Sequence, residues 1–277
     1  MVLVLTLPSD SSLEYFPNNT LSHFRVQLPQ ELTFDGPYEV GLTQLQYPRT
    51  WFNIPEEDTI ILVEQVESNL ALSYLTCKVA GGTYESVDQL VKLINLAIQR
   101  KIKKVWRRSE KFFLHYSAIE NRVHFQCKRG PDSSDTVTSP CLRVSFSPAI
   151  LLRLGFIAGF NKHRSEKPYY LRNGDVAEFT VDLDGGFKNI YVNTDIIKQT
   201  HYVGHTLQSV LRVVPIQGRR HEMVLFEPIR IDWFPLRFNR FRQIEISLTT
   251  DLGQYVKFER GKTVVTLHIR RAREFAE

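Results

Sequence analysis

His201 and His205 are the first residues whose types and spacing suit chemistry. Four apart on a helix, two imidazoles share one side and hold zinc. Val203 and Gly204 between them disfavour a helix, and no glutamate stands beside them as in a metalloprotease. No strand carries the histidine pair, one residue apart, that a cupin-like metal site needs. Asp182 and Asp184, before Gly185-Gly186, resemble half of a calcium loop, but the later ligands and the bidentate glutamate are missing. A strand ending in a Gly-Gly turn accounts for them better. Gly81-Gly82 lacks the lysine of a phosphate loop and reads as a turn. The chain has no Gly-x-Ser-x-Gly elbow. His124 and Cys127 stand three apart, which on a strand turns them to opposite faces. These residues give no catalytic constellation, no metal site and no cofactor.

Contact chemistry is better represented. Arg100-Lys101-Ile102-Lys103-Lys104-Val105-Trp106-Arg107-Arg108 is the strongest electrostatic feature. Lys103, Lys104, Trp106, Arg107 and Arg108 suit an acidic protein partner or a weak nucleic-acid contact, through phosphates and stacking. A solvated helix end, its cations at the negative end of the dipole, accounts for them equally well. A second stretch, Ile231 to Arg242, alternates arginines with aromatics. Aromatics and arginine are enriched in interfaces. Trp233, Phe234, Arg237 and Phe238 are candidate subunit contacts, with packing on the protein's own core as the other reading.

Charge is unevenly spread. The 277 residues carry net +5, but residues 1–98 hold −8 and residues 99–130 hold +8. An acidic first third and a basic segment are a candidate complementary pair between neighbouring copies. The three cysteines, Cys77, Cys127 and Cys141, are an odd count without zinc spacing, so no disulfide framework is expected. Hydrophobic residues make up 43% of the chain, enough for a core and too many for wholesale disorder. No apolar run approaches the roughly 18 residues of a membrane helix, and no membrane role is expected. The apolar start, Val2–Leu7, lacks a basic region before it and stops at Pro8. It reads as a strand rather than a secretion signal.

Strands dominate the elements that position these residues. Residues 23–29 alternate with period two. So do residues 38–47, where Val40, Leu42 and Leu45 reach one face only if the phase slips by one, which predicts a bulge. Further strands are predicted at 59–66, 71–79, 112–117, 122–127, 142–147, 177–183, 189–193, 209–215, 222–226, 243–249 and 263–269. One helix is plain. Ser86-Val87-Asp88-Gln89 is a capping box, and Val87, Leu90, Val91, Ile94 and Ile98 follow on one face. A short helix at 148–154 begins with Pro148 and closes at Gly155. The predicted fold is mainly β: a β-sandwich or jelly roll of residues 1–79 and 166–277, with an inserted α+β segment, 80–165.

Several stretches, in order, resemble one family. They are Leu5–Ser12 with Tyr15–Thr20 and Phe24; Gly36–Leu42 with Tyr47-Pro48 and Trp51; Tyr84–Val87 with Leu90 and Ile94-Asn95; Leu151–Phe156; Asn189–Val192 with Asp195-Ile196; and Ile244–Ile246 with Gly261–His268. Together they resemble the jelly-roll minor capsid (penton-type) proteins of Polinton/Maverick elements and adintoviruses. The likeness spans nearly the whole chain. It departs at Ile197-Lys198-Gln199-Thr200, where the family often has an acidic Glu-Pro segment. The resemblance implies a single jelly-roll β-sandwich with an inserted α+β segment, and a structural virion subunit rather than an enzyme. It would be made in the cytoplasm or nucleus of a host cell, form homopentamers at capsid vertices and touch the major capsid protein. The rival readings are a monomeric β-sandwich module binding nucleic acid or a glycan, and a capsid-like protein reused by a host.

Overall fold

The structure is a computed structural model that describes residues 2–56, 59–67, 70–105, 111–128, 141–156, 170–184 and 188–272. In chain order the elements are β1 (Val2–Pro8), β2 (His23–Thr33), β3 (Tyr38–Pro48), β4 (Ile60–Glu67), β5 (Leu70–Lys78), α1 (Val87–Val105), β6 (Lys111–Ser117), β7 (Arg122–Lys128), β8 (Cys141–Phe146) and α2 (Pro148–Arg153). They continue with β9 (Tyr170–Leu171), β10 (Asn189–Thr194), β11 (His201–Val203), β12 (Thr206–Gln208), β13 (Val210–Pro215), β14 (Met223–Phe226), β15 (Phe234–Pro235), β16 (Arg240–Thr249) and β17 (Val264–Arg271). The chain divides into two compact units: Met1–Trp51 with Phe187–Glu277, and Phe52–Gly186.

The first unit is the predicted jelly roll, and its strand order shows why. One sheet runs β1-β17-β3-β14 and the other β13-β10-β16-β2. The outermost strands in sequence, β1 and β17, are neighbours. So are β2 with β16, β3 with β14, and β10 with β13. A ribbon of antiparallel pairs folded over itself in this order makes the two Greek keys of a jelly roll. Strict alternation drives it. Val265, Leu267 and Ile269 of β17 are fully buried, while the residues between them are half-buried on the outer face. The predicted slip in β3 is a bulge at Thr43: Leu42 faces Leu267, Gln44 faces Thr266, and Thr43 is the extra residue. Its hydroxyl donates to the Thr266 carbonyl at 3.1 Å. The bulge resets the phase, so Val40, Leu42, Leu45 and Tyr47 all enter the core. At one end of this unit, Thr50 donates to the Arg260 carbonyl at 2.9 Å, and the Ser9 amide donates to Thr263 at 2.9 Å.

The second unit has a sheet, β5-β4-β8-β9, and a hairpin, β6-β7. Its helix α1 lays Leu90, Val91, Ile94, Ile98 and Ile102 into its own core with Val63, Phe125 and Ile150. The cap forms as the sequence predicts, with one change. The Gln89 amide donates to Ser86 Oγ at 3.2 Å, and Gln89 Oε1 accepts from the Glu85 amide at 2.9 Å rather than from Ser86. Asn95 ties α1 to β6: its amide accepts from Leu114 N at 2.7 Å and donates to Leu114 O at 2.9 Å. α2 starts at Pro148 and ends in a Schellman turn. Phe156 N donates to Leu151 O at 3.0 Å and Gly155 N to Leu152 O at 3.2 Å. Gly155 has φ +81°, and a Cβ there would lie 2.2 Å from the Phe179 carbonyl oxygen.

Two expectations need correction. The insert begins and ends outside residues 80–165, because β4 and β5 pair with each other and β4 pairs with β8, inside the second unit. Alternation marks a strand but not the sheet it joins. The strand predicted at 177–183 is absent. Just before that segment Val176 bridges His124, and the segment's own amides divide between two sides: Ala177 N donates to Val123 O and Val181 N to Asn121 O, while Phe179 N donates to Gly155 O and Asp182 N to Arg153 O. Asp184 N donates to Asp182 Oδ1 at 3.0 Å, a turn rather than a cation loop.

Candidate assembly surface

The arginine–aromatic stretch lies over the first sheet of the jelly roll. Gly41 on β3 makes room for it, since a Cβ there would sit 2.4 Å from Ile231 Cγ2 and 2.8 Å from the Asp232 carbonyl oxygen. β15 then pairs with the first half of β3, Phe234 opposite Val40. Phe234 and Leu236 pack half-buried against the jelly-roll core. The Arg270 guanidinium stands 3.7 Å above the Trp233 ring and is fixed by Glu39, which accepts from its Nε and Nη2 at 3.2 and 3.1 Å. Arg212 donates to the Arg230 carbonyl at 3.1 Å and bonds Asp232. So Trp233 and Phe234 are held by their own unit, while Arg237 and Phe238 project. The Arg237 guanidinium lies 4.9 Å from the Phe238 ring, and its backbone N–H donates to Ile196 O at 2.7 Å. Both side chains of this cation–aromatic pair are exposed on an anchored backbone.

Lys103 and Lys104 are exposed on the last turn of α1, with Arg100 and Lys101 one turn before. Trp106, Arg107 and Arg108 lie outside the described residues. The solvent side of α1 also carries Leu93 and Leu96, each more than two-fifths exposed. Sequence reading missed them, although Leu93 and Leu96 fall off the buried face that Leu90, Ile94 and Ile98 define.

The expected pairing of an acidic first third with a basic neighbour meets an obstacle. Several of those carboxylates already have partners in their own unit. Glu39 holds Arg270, Asp10 holds Lys262 at 2.7 Å, and Glu31 approaches Arg240 at 3.5 Å. Glu64, buried in the second unit, binds Arg143 at 2.6 Å and accepts from the Tyr170 hydroxyl at 2.7 Å. The net charge of a segment counts these groups as if they were available.

A further charged cluster sits on the second sheet of the jelly roll. Glu245 on β16 accepts from Arg25 Nε at 2.5 Å and bonds His23 Nε2 at 2.9 Å, both across the ladder to β2. Its amide donates to Asp195 Oδ1 at 2.9 Å. The His23 ring stacks on Tyr255 at 4.7 Å. Burial alone would raise the Glu245 carboxyl, but hydrogen bonds from His23 and Arg25 and their charges outweigh it and hold it below the usual range. Asp195 moves the other way: burial pushes it up, and the nearby Glu245 charge adds to that.

His201 reaches the arginine–aromatic stretch, its ring edge-on to Phe234 at 5.8 Å. His201 and His205 flank the Gly204 turn of the β11–β12 hairpin, both exposed, and Gly204 takes φ +59°. Among the described residues no group of three or more His, Cys, Asp or Glu could hold a metal. His124 and Cys127 point to opposite faces of β7 as expected, with Phe125 buried between them. Among the described residues no helix is long and apolar enough to cross a membrane.

Along nearly its full length this chain is similar in fold to a solved structure. The crystal structure of the mavirus penton protein superposes with TM-score 0.53 at 9% identity, covering 98% of this chain and 99% of that one. A chain of the Sputnik virophage, from its cryo-electron-microscopy structure, aligns with TM-score 0.49 at 11% identity over 97% of both chains. No protein-family model matches this chain. No curated protein matches its sequence.

Proposed function

We propose that this chain is a structural subunit of a viral capsid, not an enzyme. It is a minor, penton-type protein of the Polinton/Maverick and adintovirus kind. In this reading it forms a homopentamer at the capsid vertex, contacts the major capsid protein, and resides in the virion after synthesis in the host cell cytoplasm or nucleus. The observation that carries it is the likeness in fold to a penton protein along nearly the full length of both chains, inserted unit included. The ordered sequence resemblance points the same way. A ring needs one patch to meet a different patch around a closed axis. Arg237 with Phe238 and the cationic end of α1 around Lys103 and Lys104 are the candidate contacts.

Native mass spectrometry over a range of protein and salt concentrations tests it. A closed pentamer is the expected species, alone or with the major capsid protein. A monomer under every condition, with that partner present, overturns the reading. Binding to DNA with a steep salt dependence, lost on charge reversal at Lys103 and Lys104, would favour the nucleic-acid module instead.

A further inference from the structure

We propose that copies of this chain join edge to edge through one sheet of the jelly roll, the open edge of β1 in one copy pairing with the open edge of β14 in the next. The inference rests on the self-assembly proposed above and names its seam. The edge strands of the sandwich differ in how they are guarded, and β15, which lies beside β14 along β3, carries Pro235. β2 carries Arg25, Pro29 and Glu31, and its ladder to β16 slips between Phe241 and Gln243. β13 carries Arg212 and Pro215, and its ladder to β10 slips between Val192 and Asn193. Charges, prolines and bulges are the devices that stop an edge from accepting another strand. β1 (VLVLTLP) and β14 (MVLF) have no charged residue and no register shift, and β1 has a proline only at its end. These two unguarded strands lie at opposite edges of the same sheet, β14 sharing its edge with β15.

Their side chains fit the same seam. Val2 is 60% and Val4 52% exposed, and Met223 is 54% and Leu225 51% exposed. All four lie on the outer face of that sheet: Val4 is opposite His268, which is opposite Gly41, and Leu225 is opposite Gln46, which is opposite Val264. Leu3 and Leu5 point the other way, toward the core, yet stay half-buried. The sheet ends beside them, and another strand would cover them. Direction fits as well. Each strand from β1 through β17 and β3 to β14 runs opposite to its neighbour, so β1 and β14 are antiparallel. A following copy therefore presents β14 in the direction an antiparallel ladder with β1 requires. Leu225 shares a row with Pro8, four residues along β1 from Val4. Setting the next copy's Leu225 beside Val4 is then a stagger by an even number, which keeps every side chain on its face. Closing a sheet on itself requires a stagger of this kind. Because the edges differ, the contact is head-to-tail, the type that closes into rings.

The test uses two double variants of the full chain, Val2→Lys with Val4→Lys, and Met223→Lys with Leu225→Lys. All four positions are more than half exposed, so both variants should keep the wild-type melting temperature. Native mass spectrometry should show a closed oligomer for wild type and monomers for each variant, with association roughly a hundredfold weaker. A one-to-one mixture should give heterodimers and nothing larger, since each variant keeps one intact edge. Hydrogen exchange of wild type should slow at Val2–Leu7 and Met223–Phe226 on assembly, a readout independent of the variants. If both variants assemble like wild type, or those amides stay unprotected in the oligomer, the seam is wrong while the assembly reading stands. If only the β1 variant disperses, β1 pairs with itself about a two-fold axis and the head-to-tail seam is overturned. Wild type that stays monomeric with its capsid partner overturns both.

Discussion

The two units bury similar cores by different routes. In the jelly roll, the central ladder joins the ends of the chain, with Leu5 opposite Leu267 and Leu42 opposite Leu267 on the other side. In the inserted unit, contacts are nearer in sequence: α1 meets the adjacent β6 through Asn95 and Leu114, and β6 turns directly into β7. Loop-closure entropy makes the first kind of contact late and mutually dependent, and the second kind early and local. An insert with its own core can therefore be carried between two jelly-roll strands without disturbing their register.

The sharpest way to break that comparison is to open a cavity in each core. Leu267→Ala in the jelly roll and Ile94→Ala in the insert each remove a fully buried side chain. Each should cost about 2–5 kcal/mol. Calorimetry should show each lowering its own transition, and equal shifts of both transitions would mean that the units unfold as one. A smaller effect tests the local architecture of the insert. Gly155→Ala places a side chain at φ +81° against the Phe179 carbonyl. A loss of about 2 kcal/mol or more is expected in denaturant titration, with only the insert's transition moving. Asn95→Ala leaves the Leu114 amide and carbonyl without their clamp. About 1–3 kcal/mol should be lost, and exchange at Leu114 should quicken. Ser86→Ala removes the α1 cap for about 1 kcal/mol.

The smallest effect belongs to the jelly roll and to pH. Glu245 has its folded pKa lowered, so its stabilising contribution is present above the unfolded value, about 4.3, and lost as pH falls through the folded one. Asp195 is raised, so its protonated form favours the fold and its contribution fades as pH rises through the folded value. The melting temperature should therefore drop in acid by less than Glu245 alone would cause. Glu245→Gln should flatten the acid limb while leaving the insert's transition alone. An unchanged acid limb would show that this cluster does not couple to folding.

Much of the fold was legible from residues whose pattern has a single local solution. Val265, Leu267 and Ile269 could alternate only as a strand, and the phase slip around Thr43 could be absorbed only by a bulge. Ser86 with Gln89 marked a helix start because orphan amides need acceptors there. Gly155 after Pro148 marked a helix stop because a left-handed residue favours glycine. The surface was less legible. Glu39, Asp10 and Glu64 look like free charge in the sequence, yet each has a cation partner that only long-range pairing brings near. The alternation of β4 and β5 identified strands without saying which sheet they enter, so the insert's boundaries were misplaced. The bare β1 and β14 edges became visible as edges only once the strand order was known. Periodicity and capping are local and are written in neighbouring residues. Sheet membership, edge exposure and charge neutralisation depend on which distant segments meet, and only the tertiary structure decides that.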